Sequence, residues 1–294
     1  MITSTKNPLV KQLVRLRTSA RLRRQEQRVV VVGSRALREA AAHADLQMLL
    51  LPPPQGSDAA ALETPSGREA ATRAALREAG LWGTVGADAA DATFADERVL
   101  RKISGMPSLG RGSAVGCVAL PEPSIPAQLE RLLVLSGVSD PGNVGTLLRT
   151  ALGLGWDAAF LLEPEPEPEP EPHRGPAPWP RCADPFGEKA LRAAAGAAFA
   201  LPIVSGGAAE LRRVLAAHSL PLFVADVAGD PAELPRSLPD QLSVGSRAAL
   251  CLSSEAHGAA RLPELLRVAS EGSPPPLTRV GIPMSQGSDS LSVS

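Results

Sequence analysis

One stretch, LLVLSGVSDPGNVGTLLRTALGLGWDAAFLL at 132–162, constrains the fold more than any other part of the chain. Leu132, Leu133, Val134 and Leu135 form a short apolar run that suits a buried strand. Ser139-Asp140-Pro141-Gly142-Asn143 is turn chemistry: Pro fixes φ, Gly admits positive φ, and Asp or Asn can cap a helix. Val144, Leu147, Leu148, Ala151 and Leu152 then recur at helical spacing, and Gly153 and Gly155 are stop signals. Residues 158–162 resume an apolar run. A strand, a helix and a strand in this order make a βαβ unit and imply a parallel sheet. Arg149 stands two positions from both Leu147 and Ala151, so it need not share their face. An Arg near a turn rich in backbone N–H groups can hold a phosphate or a ribose.

The chain has 294 residues, enough for two domains. With 44% hydrophobic residues but only 3% aromatic and no Tyr, its core must rest on Ala, Leu and Val. The formal net charge of -1 excludes a polycation overall, but charge is uneven. Between Lys6 and Arg28 stand Lys6, Lys11, Arg15, Arg17, Arg21, Arg23, Arg24 and Arg28 against one acid, Glu26. Such a patch fits either salt-dependent attraction to nucleic acid or a solvated helix face. Cys117, Cys182 and Cys251 are odd in number and far apart, which argues against a disulfide framework or a Cys-rich metal site and for a reducing compartment. No apolar run approaches the ~18 residues of a membrane span. The acid-poor start, with its Arg and Ser, also fits an organellar transit peptide.

Taken in order, Asn7-Pro8 fits an N-cap followed by Pro at the first helical position. Leu9, Leu13, Leu16 and Ala20 then line one helical face. Strand-like runs at 29–32, 46–51 and 115–120 alternate with helical segments at 35–44, 68–79 and 96–103. These make a small α/β domain over 1–120, without a defensible acid–base pair or phosphate loop. Pro121 to Pro126 belongs to a linker, 121–127, and a second domain spans 128–294. Within it, 163–178 opens on strict Glu-Pro alternation, which excludes helix and central strand and reads as a disordered insertion. Helices are expected at 187–199, 208–218 and 262–269, and strands at 201–204, 222–227, 248–252 and 280–283. In an open parallel sheet of this kind, ligands bind at the carboxyl ends of the strands.

Three strand-end turns, 139–149, 253–258 and 284–292, are rich in Gly, Ser or Pro. The first two hold Arg149 and Glu255, and each is weak evidence alone: a single Glu after a strand is ordinarily a cap or surface charge. His257 stands without a visible partner. No GxGxxG follows a strand, GxxxxGK[ST] is absent, and neither a Ser-His-Asp set nor metal-ligand spacing appears.

As a set, DPGNVGTLLRTA (140–151), LSSEAHG (252–258) and IPMSQGSDSLSVS (282–294) resemble motifs 1, 2 and 3 of the SpoU/TrmH family, in order and spacing. That family comprises SPOUT-class RNA 2′-O-ribose methyltransferases. DPFGEKALRAAAGAAFALP (184–202) is similar to the segment between motifs 1 and 2. ITSTKNPLVKQLVRL near the start resembles the opening of an L30e-like substrate-binding domain, which weighs against a transit peptide. The resemblance implies an α/β fold with an N-terminal L30e-like domain and a C-terminal SPOUT domain, a parallel sheet closed by a trefoil knot. Knots are otherwise nearly absent from proteins. It implies S-adenosyl-L-methionine as cofactor, no metal, and structured RNA, rRNA or tRNA, as substrate. By position Ser253, Gly258, Ile282, Met284, Ser290 and Leu291 are implied to hold the cofactor. Arg149, Asn143, Glu255 and Ser292 fall at catalytic places. Homodimerisation is implied to complete each site and to let Arg149 act across the subunit interface. A cytoplasmic or organellar location is expected, with no secretory signal and no membrane partner.

Three departures stand out. The family usually has Gly at Ser253, and a side chain there crowds a closely bound cofactor. It usually has Asn where motif 3 reads Ser290-Leu291-Ser292, and a Ser hydroxyl is shorter and offers less than an amide. It also continues through a C-terminal helix beyond the point matching Ser294, so a loose knot and weak dimer are expected. The alternative reading is a catalytically impaired, RNA-binding relative that keeps the scaffold.

Overall fold

A computed structural model describes residues 1–56, 61–84, 92–108, 110, 113–164, 180–225, 247–253 and 277–280. The chain divides into two units. The first is Met1–Glu122 with Phe186–Ala200; the second is Pro123–Pro185 with Leu201–Ser294.

In the first unit, α1 (Pro8–Thr18) starts as its sequence dictates: Asn7 is the N-cap, its side chain accepts from the Leu9 N–H, and Pro8 opens the helix. The buried face is Val10, Leu13 and Leu16; Leu9 is only partly covered. Ala20 does not continue that stripe. The helix ends at Ser19, whose hydroxyl caps a second helix, α2 (Ala20–Glu26). Arg23 is 4% exposed, and its Nη1 donates to the carbonyls of Leu16 and Arg17 at 2.7 Å, closing the end of α1. There follow β1 (Arg28–Val32), α3 (Ser34–Ala41), β2 (Leu46–Leu51), a short 3-10 turn (Ala61–Glu63) and α4 (Pro65–Glu78). The unit continues with β3 (Ala92–Phe94), α5 (Glu97–Ser104) and β4 (Val115–Ala119). The sheet order is β1-β4-β2-β3, with β4 antiparallel to its neighbours β1 and β2 and β3 parallel to β2. α1, α5, β1, β2 and β4 share one apolar cluster that includes Val10, Leu13, Val30, Leu50, Ile103 and Val115.

The second unit carries β5 (Arg131–Ser136), α6 (Pro141–Gly153) and β6 (Ala158–Leu162). Asp157 ties the start of β5 to the loop before β6: its Oδ2 accepts from the N–H groups of Glu130 and Arg131, each at 2.8 Å. Next along the chain, α7 (Glu188–Ala194) and α8 (Ala197–Ala200) lie in the first unit. The single helix expected over 187–199 is therefore two. It breaks at Ala195 (φ 46°) and Gly196 (φ 87°), where a Cβ on Gly196 would meet the Glu39 Cβ at 2.4 Å. The second unit resumes with β7 (Ile203–Gly206), α9 (Ala208–Ala217), β8 (Leu222–Ala225), β9 (Ala248–Ser253) and β10 (Leu277–Val280). Its six strands run in the order β10-β8-β9-β5-β6-β7, and every pair is parallel. Leu132, Val134, Phe160 and Cys251 pack with Leu211 and Leu215 of α9 on one face. Leu133, Leu135, Ala159 and Leu161 on the other face are buried too, as in a sheet covered on both sides. The expected elements at 163–178 and 262–269 and the expected knot lie wholly or largely outside the described residues, as do 281–283 of the expected last strand.

Cys117 and Cys251 are fully buried and Cys182 partly exposed; all three are free. Burial raises all three thiol pKa values, that of Cys251 to about 12. Native protein at neutral pH is therefore expected to alkylate slowly and first at Cys182, faster as pH rises. Cys117 and Cys251 are expected to react only after unfolding, which timed alkylation with mass mapping checks.

Candidate functional site

Motif 1 folds locally for reasons visible in its side chains. β5 ends at Ser136, a turn follows, and Asp140 caps α6 with Oδ1 accepting from the Asn143 N–H at 2.9 Å. Pro141 supplies the preset φ of the first helical turn. Val144, Leu148 and Ala151 are buried, spaced as the sequence predicts. Leu152 is not on that face; it is 38% exposed. The turn is pinned from outside: the Ala183 N–H donates to the Val138 carbonyl at 2.8 Å, and the Cys182 thiol to the Leu135 carbonyl at 3.3 Å. Burial keeps Cys182 protonated and able to donate, although the backbone groups of Val138 and Gly137 oppose the rise.

The sheet brings the strands that precede or open the three motifs to one edge. Ser136 of β5 is in register with Ser253 of β9, and Val280 of β10 with Ala225 of β8. All these strands are parallel, so motif 1, motif 2 and the segment entering motif 3 leave from the same carboxyl edge. Neighbouring strands lie ~4.8 Å apart, which sets β5 and β10 roughly 14 Å apart across three spacings. The chain order reverses between β5 and β9, because β6 and β7 lie to one side and β9, β8 and β10 to the other. Such a reversal opens a crevice for ligands in α/β sheets.

Sequence reasoning missed Ser136. It is 1% exposed, and its Oγ has no hydrogen-bond partner among the described residues. An unmet buried hydroxyl costs ~1–3 kcal/mol. Its register mate Ser253 is half-buried on the same face, so two hydroxyls sit side by side where motifs 1 and 2 diverge. The signal available in sequence was a Ser closing an otherwise apolar run.

Asn143 is half-buried in the first turn of α6. Arg149 is exposed on the outward side, apart from the buried stripe, and nine residues beyond the cap it stands ~13 Å along the helix axis. Thr146 and Thr150 are exposed on the same side. Glu255, Gly258, Ile282, Met284, Ser290, Leu291 and Ser292 lie outside the described residues. Among the described residues no group of three or more His, Cys, Asp or Glu is placed to hold a metal ion.

No family model matches the chain. A protein of Mycobacterium tuberculosis named as an uncharacterized tRNA/rRNA methyltransferase is 28% identical over 191 residues, and so is one of Mycobacterium bovis. The match covers 63% of this chain and 56% of each relative, so the chain spans little more than half the length of the curated relatives it matches. Among solved structures, an RNA 2′-O ribose methyltransferase superposes with a TM-score of 0.63 at 22% identity, covering 99% of this chain and 92% of that one. The SpoU methyltransferase AviRb of Streptomyces viridochromogenes, in complex with AdoMet, gives 0.64 at 19% identity over 97% and 92%. The AdoMet-bound rRNA methyltransferase of Sinorhizobium meliloti gives 0.63 at 20% identity over 99% and 91%. With its parallel six-stranded sheet and these structural neighbours, the chain has the fold of the SpoU/TrmH-type RNA methyltransferases.

Proposed function

We propose that this chain is an S-adenosylmethionine-dependent RNA 2′-O-ribose methyltransferase acting on rRNA or tRNA as a homodimer. The observation that carries the reading is the register of Ser136 against Ser253, which starts motifs 1 and 2 side by side at the switch point of the sheet. The fold shared with AdoMet-bound structures supports it.

The residues present fit the cofactor. A buried Ser136 hydroxyl, without a hydrogen-bond partner among the described residues, offers a hydrogen bond to a polar ligand at the strand ends. By position Ser253, Gly258, Ile282, Met284, Ser290 and Leu291 would hold it, in the knot that the family resemblance implies. When bound, the cofactor supplies an activated methyl group.

The remaining work is positioning and charge. A ribose 2′-OH is a poor nucleophile, and holding it in line is worth several kcal/mol. Arg149 clamps the adjacent phosphate or stabilises negative charge on the ribose oxygen as its proton leaves. Asn143 orients the nucleotide from the first turn of α6, and Glu255 and Ser292 complete the set. Arg149 faces outward; Leu152, one turn on, is 38% exposed, and Leu154 at the C-cap of α6 is 63% exposed. These features support a dimer in which α6 meets the other subunit and Arg149 serves that subunit's site. The first unit, read as L30e-like, grips structured RNA. No helix among the described residues is long and apolar enough to cross a membrane. A protein with this function works where rRNA and tRNA are modified, in the cytoplasm or an organelle.

Methyl transfer from labelled S-adenosylmethionine to rRNA and tRNA, followed by mapping of 2′-O-methyl positions, tests the reading. A single modified ribose supports it. Cofactor binding by folded protein without transfer to any RNA contradicts it and favours an RNA-binding relative without activity. Ser253→Gly is a finer check: removing the side chain is expected to tighten cofactor binding severalfold, measured by titration calorimetry. Weaker binding would mean that the Ser253 hydroxyl is a contact and not an obstruction.

A further inference from the structure

The eight cations between Lys6 and Arg28 do not all have the same job. Three are used by the fold: Arg23 closes the end of α1, Arg17 pairs with Glu188, and Arg28 pairs with Glu26. Glu26, the single acid in the segment, is taken up twice over, by Arg28 and by the Gln12 amide. The Arg28 hydrogen bond holds its carboxyl below the ordinary value, and Arg15 adds only a long-range attraction. Lys6, Lys11, Arg15, Arg21 and Arg24 remain; all five are exposed, none forms an ion pair with a described residue, and all but Lys6, which precedes α1, stand on the two helices. Lys11 and Arg15 are one turn apart on the outward side of α1, and Arg21 and Arg24 one turn apart on α2. Elsewhere in the same unit exposed arginines are mixed: Arg35, Arg73 and Arg98 pair with Glu39, Glu69 and Asp96, whereas Arg38, Arg77 and Arg101 form no ion pair with a described residue. Like charges one turn apart repel by ~0.2–0.5 kcal/mol per pair; the long-range pull of Glu26 on Arg15 and the last-turn positions of Arg15 and Arg24 offset part of this.

We propose that Lys11, Arg15, Arg21 and Arg24 form a track for the phosphate backbone of the RNA substrate. The inference rests on the RNA-modifying reading above and names the surface the first unit uses. Three features select this partner. The apolar face of α1 is sunk in its own core through Val10, Leu13 and Leu16, so no apolar face remains to enter a lipid surface. Residues 6–28 contain no aromatic side chain, so there is no platform for stacking bases. What remains is cationic and flexible, which suits phosphate contacts that position an RNA without reading its sequence.

The test is equilibrium binding of the full chain to a structured rRNA fragment across a salt series, beside the Lys11→Gln/Arg15→Gln/Arg21→Gln/Arg24→Gln variant. Each lost phosphate contact lowers the slope of log affinity against log salt by about one. The variant is therefore expected to bind at least tenfold more weakly near physiological salt, with a slope smaller by about three to four. S-adenosylmethionine binding should be unchanged. The four single variants, each expected to take about one from the slope, keep the test open if the quadruple variant misfolds. Wild-type binding with unchanged slope and affinity in the variants overturns the track and leaves the RNA-modifying reading standing. No binding of wild type to any structured RNA overturns both. Loss in the variant of binding to phosphatidylserine vesicles, with RNA binding intact, overturns the track in favour of a membrane surface.

Discussion

Arg149→Ala is expected to lower methyl transfer by about 100- to 1,000-fold, a loss of roughly 3–4 kcal/mol of transition-state stabilisation. Its affinity for S-adenosylmethionine should stay within about twofold of wild type. The separation follows from position. Arg149 is exposed on the outward side of α6, roughly 13 Å along the axis from the capping Asp140, whereas the site proposed for the cofactor is at the ends of β5 and β9. Removing a side chain that acts on the ribose and its phosphate should cost rate and leave the cofactor pocket alone. Single-turnover transfer with saturating cofactor, beside calorimetric cofactor binding, checks both halves. Full transfer at normal cofactor affinity would remove Arg149 from the mechanism. Arg149→Lys should recover only part of the rate, because an ammonium cannot clamp a phosphate through two parallel N–H donors.

The second large effect is on stability. Phe160 is fully buried on β6, level with Val134 of β5 and Val204 of β7. It belongs to the cluster closed by α9. Phe160→Ala should destabilise the second unit by about 3–5 kcal/mol, the usual cost of deleting a core ring and leaving a cavity. The denaturation midpoint that reports on that unit should fall sharply with its m-value unchanged. A shift of less than about 1 kcal/mol would mean that the sheet face is not packed as described.

Much of the second unit was legible because its signals are local. The apolar run at 132–135 gives β5 within a residue at each end, and 158–162 gives β6 outright; the spacing of Val144, Leu148 and Ala151 gives α6, which opens at Pro141, inside the segment read as a turn. Leu152 misled because hydrophobicity alone does not say which edge of an amphipathic stripe is covered. The break between α7 and α8 was hidden because Ala195, a strong helix former, adopts φ 46°, and Gly196 alone looked like a tolerated glycine. β3 is three residues long, too short to show a period. Ser19 carried a cap signal that the apolar stripe of α1 overrode.

The site was legible in composition and not in geometry. Three turns could be matched in order, but adjacency of β5 and β9 pairs residues more than one hundred positions apart, and no local pattern encodes such a register. Ser136 went unnoticed because a Ser at a strand end is unremarkable until its burial and missing partner are seen. The eight cations at the start read as one patch. Only the hydrogen bonds of Arg17, Arg23 and Arg28 divide those that hold the fold from those that face outward.

The central claim is that the carboxyl edge at β5 and β9 is a methyl-donor site. Titration calorimetry of S-adenosylmethionine into the full chain tests it most directly, with Ser136→Ala as the partner measurement. One site per chain with micromolar affinity is expected, weakened at least fivefold by Ser136→Ala, which removes the hydroxyl and little else. Folded protein that gives no binding heat at any temperature, or binding indifferent to Ser136→Ala and Ser253→Gly alike, would contradict it.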